Sequence, residues 1–144
     1  MKTIISHSPS ETSTIAEQWI GNIDARDEAV VIALNGHLGS GKTTFVQAVA
    51  RAFGVKDNIT SPTFVLMKRY ELSGQRFKNL IHIDAYRLES GADLDALELG
   101  NIVADPGNLV LIEWADNVKT GLPEDIKKID FEYVGENERK ITFQ

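Results

Sequence analysis

The stretch AVVIALNGHLGSGKTTFVQAVARAFG, residues 29–54, constrains this chain more than any other. Its first six residues are apolar and rich in β-branched side chains, as expected of a strand covered on both faces in an α/β sheet. Residues 43–53 read as a helix, and Gly54 stops it. Between the two, Gly36, Gly41, Lys42 and Thr43 satisfy G-x-x-x-x-G-K-[ST], in the strand-before, helix-after context that gives the pattern meaning. Glycines let the backbone curl around an anion with its N–H groups pointing inward, and the start of the helix adds unpaired N–H groups and a positive dipole end. Gly36, Leu38, Gly39, Ser40, Gly41, Lys42, Thr43 and Thr44 are therefore the candidate phosphate-binding residues. Lys42 brings a flexible point charge to the outer phosphates, and the Thr43 hydroxyl can complete a magnesium ion's octahedral shell.

Such a loop does not name a reaction, so the acidic groups near it matter. In proteins with this loop an apolar strand ending in a carboxylate lies beside it and serves magnesium or the attacking water. Two strands qualify here: LIHID ends in Asp84 and LVLIE ends in Glu113. Spacing alone does not assign one role to each.

The remaining sequence reads as a mixed sheet around a parallel core. Ser10, Glu11 and the apolar residues Ile15, Ala16, Trp19 and Ile20 read as a capped amphipathic helix ending near Gly21. Residues 63–72 and 78–86 read as strands joined by a hairpin at SGQRF. Residues 92–100 read as a short helix and 108–114 as a buried strand. The tail alternates polar and apolar residues around GEN, which predicts a final hairpin on a sheet edge. With 144 residues and no repeat or linker-like tract, the expectation is one domain over residues 1–144.

Composition excludes several classes. The longest apolar candidate, Ala29 to Leu34, falls far short of a membrane span, and the N-terminal segment turns polar after Ser6, so a cytoplasmic protein is expected. There is no cysteine, and His7, His37 and His82 are scattered, which disfavours a structural zinc. A net charge of −6 disfavours a broad nucleic-acid surface. No N-K-x-D motif supports guanine specificity. The six arginines, Arg26, Arg51, Arg69, Arg76, Arg87 and Arg139, form no Arg-rich lid of the kind a nucleoside kinase closes over its substrate.

Taken together, GHLGSGKTTF, TSPTF, HIDAYRL, LELG and LIEWADN resemble, in order and spacing, the TsaE (YjeE) family, from about Glu11 to the final hairpin. The resemblance implies a P-loop NTPase-like three-layer α/β fold with extra antiparallel strands. It implies a cytosolic ATPase using ATP, yielding ADP, with Mg2+. That activity would support TsaD and TsaB, which install threonylcarbamoyl at adenosine 37 of tRNAs reading codons that begin with A. Contact with tRNA would be indirect, through that complex. Thr43 and Glu113 match the family's magnesium ligands, and Asp84 its aspartate near the terminal phosphate. Ser61, Pro62 and Thr63 match a loop likened to a GTPase switch, which makes Thr63 a catalytic candidate with Asp84 and Lys42. Glu11 and Thr12 fall where the family meets the adenosine end of the nucleotide, and Arg139 matches its nucleotide-side arginine or is a hairpin surface charge. Trp114 is a core aromatic or a functional one, and Tyr86 and Arg87 face a partner or pack around Asp84. His37 stands where the family commonly has an acid. Two other classes stay open: a small-molecule phosphotransferase, and a nucleotide-gated binding module with vestigial hydrolysis.

Overall fold

The computed structural model describes residues 1–56, 67–86, 98–115 and 123–144. In chain order these hold β1 (Lys2–Ser6), α1 (Pro9–Gly21), β2 (Val30–Asn35), α2 (Lys42–Ala52), β3 (Met67–Glu71), β4 (Asn79–Asp84), α3 (Leu99–Ala104), β5 (Asn108–Glu113), β6 (Lys127–Tyr133) and β7 (Arg139–Phe143). The strands make one seven-stranded sheet in the order β1-β7-β6-β2-β5-β4-β3. Pairs β6–β2, β2–β5 and β5–β4 are parallel, while β3–β4, β6–β7 and β1–β7 are antiparallel. This is the α/β fold with a parallel core and antiparallel additions that the sequence predicts. No helix among the described residues is long and apolar enough to cross a membrane.

Every residue of β2, β4 and β5 is buried, because helices or connections cover both faces of the central sheet. Alternation along the strands divides the core in two. Val30, Ile32, Leu34, Leu80, Leu109 and Leu111 pack with Phe45, Val46, Val49 and Ala50 of α2 and with Ala16 and Ile20 of α1. Val31, Ala33, Ile81, Ile83, Val110 and Ile112 face the opposite layer, against Leu99, Ile102 and Val103 of α3. Phe45 is fully buried and lies 5.4 Å, ring to ring, from Phe131 and 6.0 Å from Trp19, so one aromatic cluster ties both helices to β6.

Several sequence expectations shift. The α1 cap is Ser8, not Ser10: the Ser8 hydroxyl accepts from the Glu11 N–H at 3.0 Å, and Pro9 opens the first turn, where its missing N–H costs nothing. The C-terminal hairpin is not at the sheet edge. β6 lies against β2, and β1 covers β7, so β1 is the edge strand. Strand β1 is a five-residue run, too short for its pattern to separate it from a loop. The described helix after β4 is α3, starting at Leu99, where the sequence reading ends its helix at residue 100; residues 92–97 lie outside the described residues. Hairpin β3–β4 forms as expected, closed by the Leu72 N–H on the Lys78 carbonyl at 2.8 Å.

Candidate functional site

The C-terminal ends of β2, β4 and β5 meet at the loop of residues 36–41, the end of a parallel sheet where ligands bind in open α/β folds. Gly36, Gly39 and Gly41 have φ of 151°, 78° and 106°, backbone that L side chains rarely adopt. At Gly36 there is also no room: a Cβ would stand 2.5 Å from the Phe131 carbonyl oxygen and 2.6 Å from Ser40 Oγ. The hairpin strand β6 thus presses directly on the loop.

Lys42 opens α2 and is 5% exposed. Its Nζ donates to the carbonyls of Gly36 and His37, the latter at 3.1 Å, and lies 4.1 Å from the centre of the Trp114 ring. Burial lowers its pKa below the ordinary lysine value, opposed by the negative charges of Glu113 and Asp84. A cation buried at a net cost, among carbonyls it can leave, is suited to an incoming anion.

Register brings the two acids together. Asp84 is the direct partner of Glu113 across β4 and β5, and Glu113 is the partner of Leu34 on β2. Both acids are almost fully buried and share the α2-facing side of the sheet with Leu80 and Leu111. Thr43 Oγ1 donates to Glu113 Oε1 at 3.2 Å, so the first helical turn and the end of β5 already form one polar pair. The other carboxylate oxygen, Oε2, is bonded to Nε2 of the fully buried His82. Asp84 Oδ1 accepts the Tyr86 N–H at 2.9 Å.

These groups line one cleft of about 370 Å3, within the range of about 300–1,000 Å3 usual for small-molecule sites. Residues 38–44 of the loop and first α2 turn line it together with Asp84, Glu113, Thr12 and Arg139. Arg139 is more than a hairpin surface charge. Its Nε donates to the Gly39 carbonyl at 2.9 Å, and its Nη1 ties down the carbonyls of Gly135 and Glu138 at 2.8 Å each. Thr12 is buried and shares a 2.6 Å hydroxyl contact with Ser6.

Some predicted residues stand elsewhere. Gly36 shapes the loop but does not line the cleft, and Glu11 sits beside Thr12 without reaching it. Ser61, Pro62, Thr63 and Arg87 lie outside the described residues. Trp114 lines the cleft with φ of 61°, left-handed for a bulky residue, and its ring is 5.0 Å from that of Tyr86, which is 48% exposed. Ser8, Pro9, Glu136 and Asn137 also line it, although nothing in their local pattern marks them. His82 was weighed in sequence only as a scattered histidine; its place two residues before Asp84 on a buried strand puts it on the same face, which is the signal that could have found it.

The donor set suits phosphates and a hard cation: a glycine loop leading into a helix start, a lysine, a threonine hydroxyl and a carboxylate. Among the described residues no three His, Cys, Asp or Glu side chains converge on a point, so Thr43 and Glu113 would share a magnesium ion with phosphate and water oxygens rather than cage it.

Residues 6–141 match the model of the family described as "Threonylcarbamoyl adenosine biosynthesis protein TsaE". The chain belongs to the TsaE family. It is 35% identical over 137 residues to the tRNA threonylcarbamoyladenosine biosynthesis protein TsaE of Rickettsia felis, covering 94% of this chain and 75% of that one. To the protein of the same description from Bacillus subtilis it is 34% identical over 136 residues, covering 94% and 80%. The crystal structure of Bacillus subtilis YdiB superposes with a TM-score of 0.78 at 29% identity, covering 99% of this chain and 83% of that one. The family's role is in tRNA threonylcarbamoyladenosine biosynthesis.

Proposed function

We propose that this TsaE-family chain is a magnesium-dependent cytoplasmic ATPase whose hydrolysis supports a TsaD–TsaB complex forming threonylcarbamoyladenosine at position 37 of tRNAs that read codons beginning with A. The observation that carries the enzymatic part is the meeting, in one cleft, of a glycine loop, Lys42, the Thr43–Glu113 pair and a second carboxylate, Asp84. Binding and hydrolysis then divide among named groups. The N–H groups of the loop and of the first α2 turn cradle the phosphates, and Lys42 swings from the Gly36 and His37 carbonyls onto the outer ones. Thr43 and Glu113 would hold magnesium, which when bound would supply neutralisation of phosphate charge. Asp84, held by the Tyr86 N–H, orients the attacking water and accepts its proton. Arg139 and Thr12 also line the cleft, and by the family resemblance they fall on the nucleotide's adenosine side.

Dependence on partners has a physical motive. Charge develops on the transferred phosphoryl group in the transition state, and an added cationic group there is worth roughly 10³ to 10⁵ in rate. Arg139, the one arginine among the described residues lining the cleft, is engaged with the carbonyls of Gly39, Gly135 and Glu138. The net charge of −6 fits indirect rather than direct contact with tRNA. Measuring ATP hydrolysis by the pure protein, then with a TsaB–TsaD preparation, tests the proposal. Near-background turnover that rises strongly with the partners is expected. Phosphate transfer to a small acceptor without partners would make it a phosphotransferase, and tight ADP binding with no stimulated turnover would make it a binding module.

A further inference from the structure

We propose that His82 is a positioning residue: its imidazole fixes the orientation of the Glu113 carboxylate and thereby sets how strongly the cleft holds a divalent cation beside a bound nucleotide. The inference rests on reading Glu113 as the magnesium ligand. His82 lies on β4 with no exposed surface, on the sheet face whose neighbouring strand positions are Leu80, Leu109 and Leu111. Packing alone would favour an aliphatic side chain there, because a buried polar atom without a partner costs free energy. His82 bears that cost: Nδ1 is buried and has no hydrogen-bond partner among the described residues. What the imidazole gains is a single bond, Nε2 to Glu113 Oε2. An ionised carboxylate can only accept, so Nε2 is the donor in that bond.

Glu113 is then held from both sides, with Thr43 Oγ1 on Oε1 and His82 on Oε2. One oxygen is thus shared with a residue of the first α2 turn, and the other is anchored by a residue with no exposed surface. Without that anchor a glutamate has three side-chain torsions with which to leave the geometry, and freezing them would fall to the incoming cation. Groups that orient a metal ligand in this way typically contribute about 10–100-fold to metal affinity.

The test compares ADP affinity in magnesium with ADP affinity in EDTA, by titration calorimetry, and takes the ratio as the readout. His82→Met, apolar and of similar length, is expected to lower that ratio about tenfold or more while leaving the EDTA affinity near that of the parent. His82→Gln, whose amide N–H reaches about where Nε2 does, is expected to restore most of it. In a Glu113→Ala background, His82→Met should change the ratio no further. An unchanged ratio in His82→Met, or His82→Gln no better than His82→Met, overturns the inference, because a purely structural histidine would lower melting temperature without separating these two variants in the ratio. If His82→Met does not fold, His82→Asn, one carbon too short to reach Glu113, takes its place against His82→Gln. Full magnesium dependence in Glu113→Ala overturns the metal-ligand reading and this one with it, whereas dependence lost in Glu113→Ala but kept in His82→Met overturns this one alone.

Discussion

Lys42 shows how a single side chain can be unfavourable for the fold and suited to receiving an anion. Burial depresses its pKa, so the folded protein binds the proton less tightly than the unfolded chain does. The penalty is present in full below the depressed value and falls away as pH rises through it towards the ordinary lysine range. At neutral pH, Lys42→Met should therefore melt no lower than the parent in the absence of nucleotide, measured by calorimetric scanning. The same variant loses a charge-assisted contact worth about 1.5–3 kcal/mol, so its ADP affinity should fall at least about tenfold. The two acids, adjacent in register, separate by chemistry. Glu113→Ala should weaken ADP binding in magnesium and leave it unchanged in EDTA, because the carboxylate paired with Thr43 acts through the cation. Asp84→Ala should keep ADP affinity and abolish turnover, as its proposed work begins at the terminal phosphate. If Asp84→Ala is the variant that loses magnesium dependence, the roles are exchanged.

At the scale of elements, the cleft is assembled by pieces far apart in sequence. α2 brings Lys42 and Thr43, β4 and β5 bring Asp84 and Glu113, and the β6–β7 turn brings Arg139 onto the Gly39 carbonyl. The start of α1 closes one wall. Ser6 reaches the Ser8 carbonyl at 2.9 Å and the Thr12 hydroxyl, so β1, the cap and the first helical turn share one small network beside the cleft. Ser8→Ala removes the side-chain cap and should cost about 1 kcal/mol. For a chain of this size that lowers the melting temperature by roughly 3 °C. Because Ser8 lines the cleft, ADP affinity should change less than twofold unless the hydroxyl also meets the nucleotide, and calorimetry on the variant distinguishes the two.

For the molecule as a whole, the sheet and α2 together bring the catalytic candidates among the described residues, Asp84 and Lys42, to one end, and that end bears exposed apolar groups. Leu38 at the loop tip is 75% exposed, and Tyr86 stands half-exposed beside the cleft. These surfaces sit where a partner that completes the site would touch it. Stimulation by TsaB with TsaD should accordingly be large, with little change in ADP affinity. It should be lost in Asp84→Ala and in Thr63→Ala, the latter in the segment the family resemblance likens to a switch. Rapid hydrolysis by the isolated protein, unaltered by those partners, would remove the reason for partner gating.

What is local in this protein was legible in its amino-acid sequence. The strand–loop–helix of residues 29–54, the glycine spacing and the strand-end acids follow from short-range periodicity and backbone permissiveness, so β2, α2, β4 and β5 appear where pattern puts them. A five-residue edge strand and the inward place of the hairpin β6–β7 did not, because each is settled by which strand finds which neighbour, whereas the Ser8 cap is a local contact that the alternative Ser10 obscured. Pairing across the sheet brings Asp84 level with Glu113, sets His82 behind Glu113 and lays Arg139 on the loop. The sequence alone determined which chemical groups were available for phosphate and cation binding. Only the tertiary structure decided which of them share a cleft, since a contact between residues 82 and 113, or 39 and 139, depends on strand order and register that no local pattern encodes.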